Sequence, residues 1–194
     1  YFSTEDVTRL IDAASKLKIK CKIHVNQFNI LGGVKLCVNG GALSVDHLEI
    51  IDDADIAALK ESLTSGSPTF PVALPLCSHF LSLPYTPGRK LVDAGLPLAL
   101  ATDQNPGTSP SGDMTEVVRL GSLKMGLEPI EAIAAATLNG AAAMELEDKV
   151  GSITPGKLAN FFVTREMSGL EEIPYRFNDV VVDKVYVNGE LWVG

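Results

Sequence analysis

The sequence predicts an α/β protein in which parallel strands alternate with helices. Apolar, strand-like segments begin near residues 20, 43, 69 and 97, and a segment with helical character lies between each consecutive pair. Successive parallel strands need a crossover connection, which is usually a helix. The repeat of about 25 residues is close to the roughly 30 per unit of a (β/α)8 barrel of about 250 residues. Four units therefore suggest half of a TIM-type barrel, and a doubly wound, flavodoxin-like sheet is the alternative.

The first unit combines a capped helix with a strand that leads into a histidine. Ser3 and Asp6 have the spacing of a capping pair, and apolar residues follow at helical spacing at positions 7, 10, 11, 14 and 17. Residues 21–23 predict a short strand, and His24 follows that strand directly.

The second unit predicts a helix over residues 29–42 and a strand over residues 43–45. Two glycines at positions 40–41 are expected to stop the helix, because glycine commonly occupies the position after a helix end. Asp46 and His47 follow the strand, so this unit also ends on a histidine.

The third unit again predicts a helix followed by a strand, and a further helix comes after it. Asp52 or Asp53 is expected to cap a helix with an apolar face. The proline-rich residues 69–76 predict a strand, and residues 86–94 predict a short helix. His79, between these two segments, is expected to lie in a loop.

The fourth strand, predicted over residues 96–101, leads to Asp103 and a loop of turn-forming residues. In this loop Asn105 provides an amide and Thr108 provides a hydroxyl group. Gly107 lets a ligand come close to the backbone. Such a loop can hold an anion without a charged side chain. Asn-Pro-Gly is also strong turn chemistry, so an ordinary turn is the alternative.

The last third of the chain predicts helices and then antiparallel strands. The helices are expected over about 113–125, 129–137 and 139–146, a strand over 160–164, and a hairpin that turns at Asn188-Gly189. Because these last strands are antiparallel in character, they are expected to form a separate β unit. The predicted division is a barrel part over residues 1–148 and part of a small β domain over 149–194.

Composition excludes several classes of partner and location. The net charge of the 194-residue chain is −8, which argues against nucleic acid and against an anionic membrane. The three cysteines, at positions 21, 37 and 77, have no metal or redox spacing and suggest reduced thiols in a cytoplasmic protein. No apolar run approaches the roughly 20 residues of a membrane span, and no signal peptide is expected.

Three of the four predicted strands end in a titratable or metal-binding side chain: His24, His47 and Asp103. In parallel α/β folds the ligand site lies at the carboxyl ends of the strands. Two imidazoles and a carboxylate suit Zn²⁺ or Fe²⁺, which lowers the pKa of its bound water to about 7. Each residue alone has an ordinary alternative, a structural histidine or a helix cap, but the three together favour a site.

Five segments resemble the amidohydrolase superfamily, and the first three of them resemble, within it, the imidazolonepropionase family. These segments are KIHVNQF, GALSVDHLE, LALATDQNPGTSP, ATLNGAAAMEL and GSITPGKLANFFV. The resemblance implies a (β/α)8 barrel with a small β-sandwich, and hydrolysis of 4-imidazolone-5-propanoate to N-formimino-L-glutamate in histidine degradation. Another amidohydrolase, of the deaminase or dihydroorotase type, and a non-catalytic α/β module are the alternatives.

The resemblance also implies roles for single residues. His24 corresponds to a metal ligand, and Asp103 to a metal ligand that also accepts the proton of water. His47 corresponds to the histidine that stabilises the reacting carbonyl. Gln27 lies where the family contacts the imidazolone ring, and a glutamine there can bind the ring but cannot act as a base.

The loop residues Asn105, Gly107 and Thr108 resemble the family's substrate-binding loop. One divalent metal, zinc or iron, is implied, with a small molecule as substrate. The family's His-x-His metal pair does not occur in the sequence. The chain therefore resembles the C-terminal half of such an enzyme, and we expect it to form a homo-oligomer or to need an N-terminal half.

Overall fold

The computed structural model describes residues 2–176 and 179–193 and confirms the predicted α/β class. Four strands form a parallel sheet in the order β1-β2-β3-β4. They are Lys22–Val25 (β1), Ser44–His47 (β2), Phe70–Ala73 (β3) and Ala99–Leu100 (β4). Tyr1, Phe177, Asn178 and Gly194, which the predicted domain ranges include, lie outside the described residues.

Helices connect the strands and follow the sheet. Their bounds are Thr4–Lys16 (α1), Gly33–Asn39 (α2), Asp53–Thr64 (α3), Pro75–Phe80 (α4), Gly88–Asp93 (α5), Met114–Met125 (α6), Pro129–Ala134 (α7), Gly140–Ala142 (α8) and Glu172–Tyr175 (α9). A π-helical turn, Ala135–Asn139, joins α7 to α8, so two helices that the sequence predicts separately form one continuous helical segment.

The helix starts follow their capping residues. Ser3 and Asp6 form the predicted capping box of α1, and the Asp52 side chain accepts from the backbone N–H of Asp55 at 2.8 Å to cap α3. Gly40 ends α2, as predicted, and a Cβ atom there would lie 2.6 Å from Cγ2 of Ile11. Glycine at this position therefore lets α1 and α2 pack closely.

Several boundaries differ from the prediction: α2 begins at Gly33 instead of residue 29, and β2 continues to His47 instead of ending at residue 45. His24 lies inside β1 instead of after it. The strand predicted over 96–101 contains only two ladder residues, and Pro97, which has no N–H to donate, precedes it. The strand predicted over 69–76 ends at Ala73, because Pro75 takes the first position of α4. His79 consequently lies in α4, and the prediction of a loop there was wrong.

The C-terminal part forms an antiparallel sheet, as predicted. It also contributes a helix that packs against the part of the chain that contains the parallel sheet. Strands Phe161–Thr164 (β5), Val182–Val187 (β6) and Glu190–Val193 (β7) pair in sequence order, and Asn188 and Gly189 turn with positive φ angles of 52° and 83°. The helix α9, which the sequence did not predict, packs against α6. The buried Arg119 of α6 donates to the carbonyl oxygens of Ile173 and Asp179, both at 3.0 Å.

The core lies between the parallel sheet and its helices. Its fully buried side chains include Val34, Val45, Leu48, Leu59, Leu91, Leu98 and Val117. Because the strands are parallel, their carboxyl ends share one edge of the sheet, and the strand-end residues are placed on that edge.

Candidate active site

The two strand-end histidines contact each other across β1 and β2. Nδ1 of His24 lies 2.9 Å from Nε2 of His47, and the ring centroids are 4.7 Å apart with planes tilted by 59°. The parallel register brings them together, because Val25 pairs with His47 and His24 pairs with Asp46. The His47 side chain is buried, whereas His24 is exposed.

His47 is held in an uncommon backbone conformation. Its φ angle is +86°, and that of Leu48 is +62°, in the left-handed region that costs side-chain-bearing residues about 1–2 kcal/mol. The Thr86 hydroxyl donates to the carbonyl oxygen of His47 at 2.6 Å and fixes this turn. Such strained residues cluster at functional sites, because the surrounding structure must hold them in place.

A buried carboxylate sets the hydrogen-bonding direction of both imidazoles. Oε1 of Glu49 lies 3.3 Å from Nδ1 of His47 and accepts from the Ser78 hydroxyl at 2.8 Å. Since a carboxylate oxygen accepts, Nδ1 of His47 carries the proton, and its Nε2 then accepts from Nδ1–H of His24. This leaves Nε2 of His24 with a free lone pair, which is the state a metal ligand requires.

Asp103 lies three residues beyond β4, in a left-handed conformation with φ = +53°. A carboxylate oxygen of Asp103, a ring nitrogen of His47 and Sγ of Cys77 all lie within 4.8 Å of one another. All three predicted strand-end residues therefore meet at the carboxyl edge of the sheet. The compact group around Asp103 contains His47 and Cys77, whereas His24 joins it through His47.

Cys77 is a site residue that the sequence analysis missed. It lies in the first turn of α4, four residues beyond the end of β3, and its side chain is buried. Burial, the main cause, raises the pKa of its thiol to about 11. Its position directly after the strand predicted over 69–76 was the available signal, and the sequence analysis did not use it.

Gln27 also faces this thiol. Its Nε2 lies 3.5 Å from Sγ of Cys77, so the residue predicted to contact the substrate ring lies beside the cluster. The preceding Asn26, at φ = +57°, is buried and donates to Oδ2 of Asp55 at 2.7 Å. Burial is the main cause that raises the pKa of Asp55. This buried pair ties the loop after β1 to α3 and so positions Gln27.

The loop after Asp103 is organised by the side chain of Asn105. Its Nδ2 donates to the carbonyl oxygen of Asp103 at 2.7 Å, and its Oδ1 accepts from the backbone N–H groups of Gly107 and Thr108 at 2.9 and 2.8 Å. These contacts are those of an Asx-type turn. The groups proposed from the sequence to hold a ligand thus stabilise the loop itself, and a substrate-binding role stays a prediction.

His79 is exposed and its Nδ1 lies 2.8 Å from the Tyr85 hydroxyl, so it has a structural partner of its own. No helix within residues 2–176 and 179–193 is both long enough and apolar enough to cross a membrane.

Four parallel β/α units with imidazole, carboxylate and thiol groups at their carboxyl edge define a class: β/α-barrel proteins with donors suited to a divalent cation. The family comparison is more specific. The pattern of the Amidohydrolase family matches residues 2–192, and the chain belongs to that family.

The chain is similar to several curated imidazolonepropionases. It is 56% identical over 191 residues to that of Christiangramia forsetii and 51% identical over 191 residues to that of Flavobacterium psychrophilum. Both alignments cover 98% of this chain and 45% of the relative. The chain therefore spans about half the length of the curated relatives it matches.

Solved structures support the fold. An adenosine deaminase from Xanthomonas campestris with bound zinc superposes with a TM-score of 0.78 at 20% identity, over 98% of this chain and 49% of the other. A Xaa-Pro dipeptidase superposes with a TM-score of 0.76 at 22% identity, over 100% of this chain and 49% of the other. At this identity the likeness shows the amidohydrolase barrel fold, of which this chain forms four β/α units.

Proposed function

We propose that the chain belongs to an enzyme that hydrolyses the cyclic amide 4-imidazolone-5-propanoate to N-formimino-L-glutamate, a step of histidine degradation. The observation that carries the proposal is the hydrogen bond between His24 and His47, with Asp103 beside His47. It gathers the three strand-end groups at one edge. Support for the substrate comes from relatives named imidazolonepropionase at 51–56% identity.

One divalent metal, zinc or iron, is part of the proposal. His24 and Asp103 would hold it, because the hydrogen bond to His47 leaves Nε2 of His24 unprotonated and a carboxylate is available from Asp103. When bound, the metal supplies a water with a pKa of about 7. A catalytic zinc site normally uses three protein ligands, so these two are a partial set, and we propose that the longer enzyme supplies the remainder.

Different residues of this chain would have different roles in the reaction. Asp103 accepts the proton of the attacking water. His47 stabilises the oxygen of the reacting carbonyl, while Glu49 accepts from its Nδ1 and orients the ring. Gln27 binds the ring through its amide and takes no proton, because an amide is not a base at neutral pH.

The loop of Asn105, Gly107 and Thr108 is proposed to line the substrate side of the site. Its internal hydrogen bonds would keep it rigid, which lowers the entropy lost on binding. The division into a barrel part, residues 1–148, and a small β domain, residues 149–194, is part of the same proposal.

A chimera tests this function. The matching part of the Christiangramia forsetii relative would be replaced by this chain, which aligns with it over 191 residues. We expect the chimera to consume imidazolone propionate and to form N-formimino-L-glutamate. Adenine, guanine and dihydroorotate serve as competing substrates. A folded, metal-loaded chimera that leaves imidazolone propionate intact, or prefers a competing substrate, would show the proposal to be wrong.

The proposal also includes a cytoplasmic location and the association of the chain with a partner. Three free cysteines suit the reducing cytoplasm. The unpaired outer edges of β1 and β4 in the described sheet suit a homo-oligomer or pairing with a complementary half of the barrel.

A further inference from the structure

A second set of donors shares Asp103 with the proposed resident-metal ligands but does not include His24. His47, Cys77 and Asp103 each present one ligand atom, and these three atoms lie within 4.8 Å of one another. The side chains of His47 and Cys77 are buried and that of Asp103 is half-buried. The proposed hydrolysis gives Cys77 no role.

Hydrogen bonds fix the tautomer and the ring orientation of His47 in this cluster. Glu49 accepts from Nδ1–H of His47 and the Ser78 hydroxyl donates to the same carboxylate oxygen, so Nε2 of His47 is the nitrogen that carries the lone pair, which His24 contacts at 2.9 Å. A carboxylate behind a ligating histidine is the usual outer partner of a metal site, since it fixes the tautomer and the ring orientation.

The donor types restrict the cation. A thiolate, an imidazole and a carboxylate suit Zn²⁺ or Cd²⁺, whereas Mg²⁺ and Ca²⁺ prefer oxygen ligands. Bonds of about 2.0–2.3 Å put the ligand atoms of a tetrahedral zinc roughly 3.5 Å apart. From separations of up to 4.8 Å, closure requires shifts of about 1 Å, which side-chain rotation can supply.

We propose that His47, Cys77 and Asp103 form a binding site for a thiophilic divalent cation, which shares Asp103 with the proposed resident-metal ligands His24 and Asp103 but does not use His24. Binding forms a metal–sulfur bond and releases the thiol proton to solvent, with no change of oxidation state. The bound cation inhibits hydrolysis because it occupies both His47 and Asp103. This inhibitory part rests on the proposed function, whereas the binding does not.

His24 distinguishes this site from the proposed resident-metal site of His24 and Asp103. Its Nδ1–H occupies the lone pair of His47 Nε2, at 2.9 Å, that the cation needs. Removal of His24 therefore leaves binding at the cysteine site unchanged or tighter, whereas it abolishes binding at a site built from His24 and Asp103.

The binding experiment uses the 194-residue chain and Cd²⁺. Calorimetric titration gives the affinity, and thiolate-to-cadmium absorption in the ultraviolet reports the sulfur ligand. We expect one Cd²⁺ per chain with this absorption. Cys77→Ser should lose the absorption and at least tenfold in affinity, and His24→Ala should keep both. Cys21→Ser, which changes a half-buried thiol outside the cluster, is the matched control.

Two outcomes would overturn the site: unchanged absorption in Cys77→Ser, or loss of binding in His24→Ala. Should Cys77→Ser fold poorly by circular dichroism, cadmium NMR of the unmodified chain decides, because a site without sulfur contradicts the proposal. In the chimera, excess Cd²⁺ should inhibit the parent at least tenfold more strongly than Cys77→Ser. Equal inhibition would refute the inhibitory role, and a folded, metal-loaded chimera without activity would refute the proposed function while the binding result stands.

Discussion

Nδ1 of His47 lies 3.3 Å from Oε1 of Glu49, only two residues further along the chain, and both side chains are buried. The Ser78 hydroxyl donates to the same oxygen at 2.8 Å, while Oε2 of Glu49 has no hydrogen-bond partner within the described part of the chain. A buried carboxylate with an unsatisfied oxygen costs free energy of folding. The orientation that it gives to His47 is a functional reason for keeping it.

Glu49→Ala should lower kcat in the chimera more than it changes KM. Without the carboxylate, the His47 ring loses its preferred tautomer and direction, and the upper bound of the effect is loss of the donor to the carbonyl oxygen, about 10²–10³-fold. Ser78→Ala, which keeps the carboxylate, is the control and should have a smaller effect. Nitrogen NMR should show a mixture of His47 tautomers in Glu49→Ala; a single unchanged tautomer with unchanged kcat would contradict the role.

Asp103→Asn should nearly abolish turnover by the chimera. The amide keeps the shape of the carboxylate but cannot accept a proton, and general base catalysis is worth about 10²–10⁴-fold. Asp93→Asn, at an exposed carboxylate on α5, is the matched control and should leave kcat unchanged. The measurement is kcat at saturating imidazolone propionate. An Asp103→Asn variant that retains half of the parent kcat would rule out the assignment.

The site shows where sequence reasoning succeeds. The proximity of His24 and His47 could be predicted because parallel strands align their carboxyl ends, and the observed register brings the two rings into contact. Their roles stay predictions. Asp103 follows the same logic, although its strand contains only two ladder residues. The periodicity of apolar residues carries this information, because burial of strands and helices sets it.

The roles of Cys77 and Glu49 could not be predicted in this way. Cys77 reaches the site because Pro75 starts a helix directly after β3, and that turn depends on tertiary packing. Glu49 reaches His47 because His47 and Leu48 adopt positive φ angles that return the chain toward the strand. A local sequence pattern does not encode these positive φ angles in residues that are not glycine.

His47→Ala and His24→Ala should separate catalysis from metal binding. In the chimera, His47→Ala should lower kcat about 10²–10³-fold and keep the resident metal, because His47 is assigned to the carbonyl. His24→Ala should lose resident metal, because His24 is assigned as a ligand. Elemental analysis of both purified variants, with the parent as control, provides the measurement. Metal loss in His47→Ala would move His47 into the ligand set and refute its assigned role.

The thiol of Cys77 should react slowly with iodoacetamide at neutral pH. Burial raises its pKa to about 11, so that only about one thiol in 10³–10⁴ is the reactive thiolate between pH 7 and 8. Because a raised pKa favours the protonated form, the alkylation rate should increase with pH until about pH 11. Peptide mass spectrometry follows Cys77, with a small free thiol as reference. Alkylation of Cys77 as fast as that reference at pH 7 would contradict the environment described.

The 194-residue chain alone should be inactive on imidazolone propionate and should associate with itself. Within the described residues, β4 pairs only with β3, and an unpaired strand edge invites another chain. A cleft of about 800 Å³, lined largely by apolar side chains that include Leu100, Ile130 and Phe162, lies beside this edge. Exposed apolar patches of this kind drive association.

Ile130→Glu tests this prediction. Ile130 is 59% exposed in the cleft, and a carboxylate there should shift the chain toward the monomer in light scattering, by at least tenfold in dissociation constant. Leu10→Glu is the matched control, because Leu10 is 57% exposed on α1, outside the cleft residues, and should leave the association unchanged. A parent chain that is monomeric at high concentration, or active on imidazolone propionate, would show that the open edge and cleft need no partner.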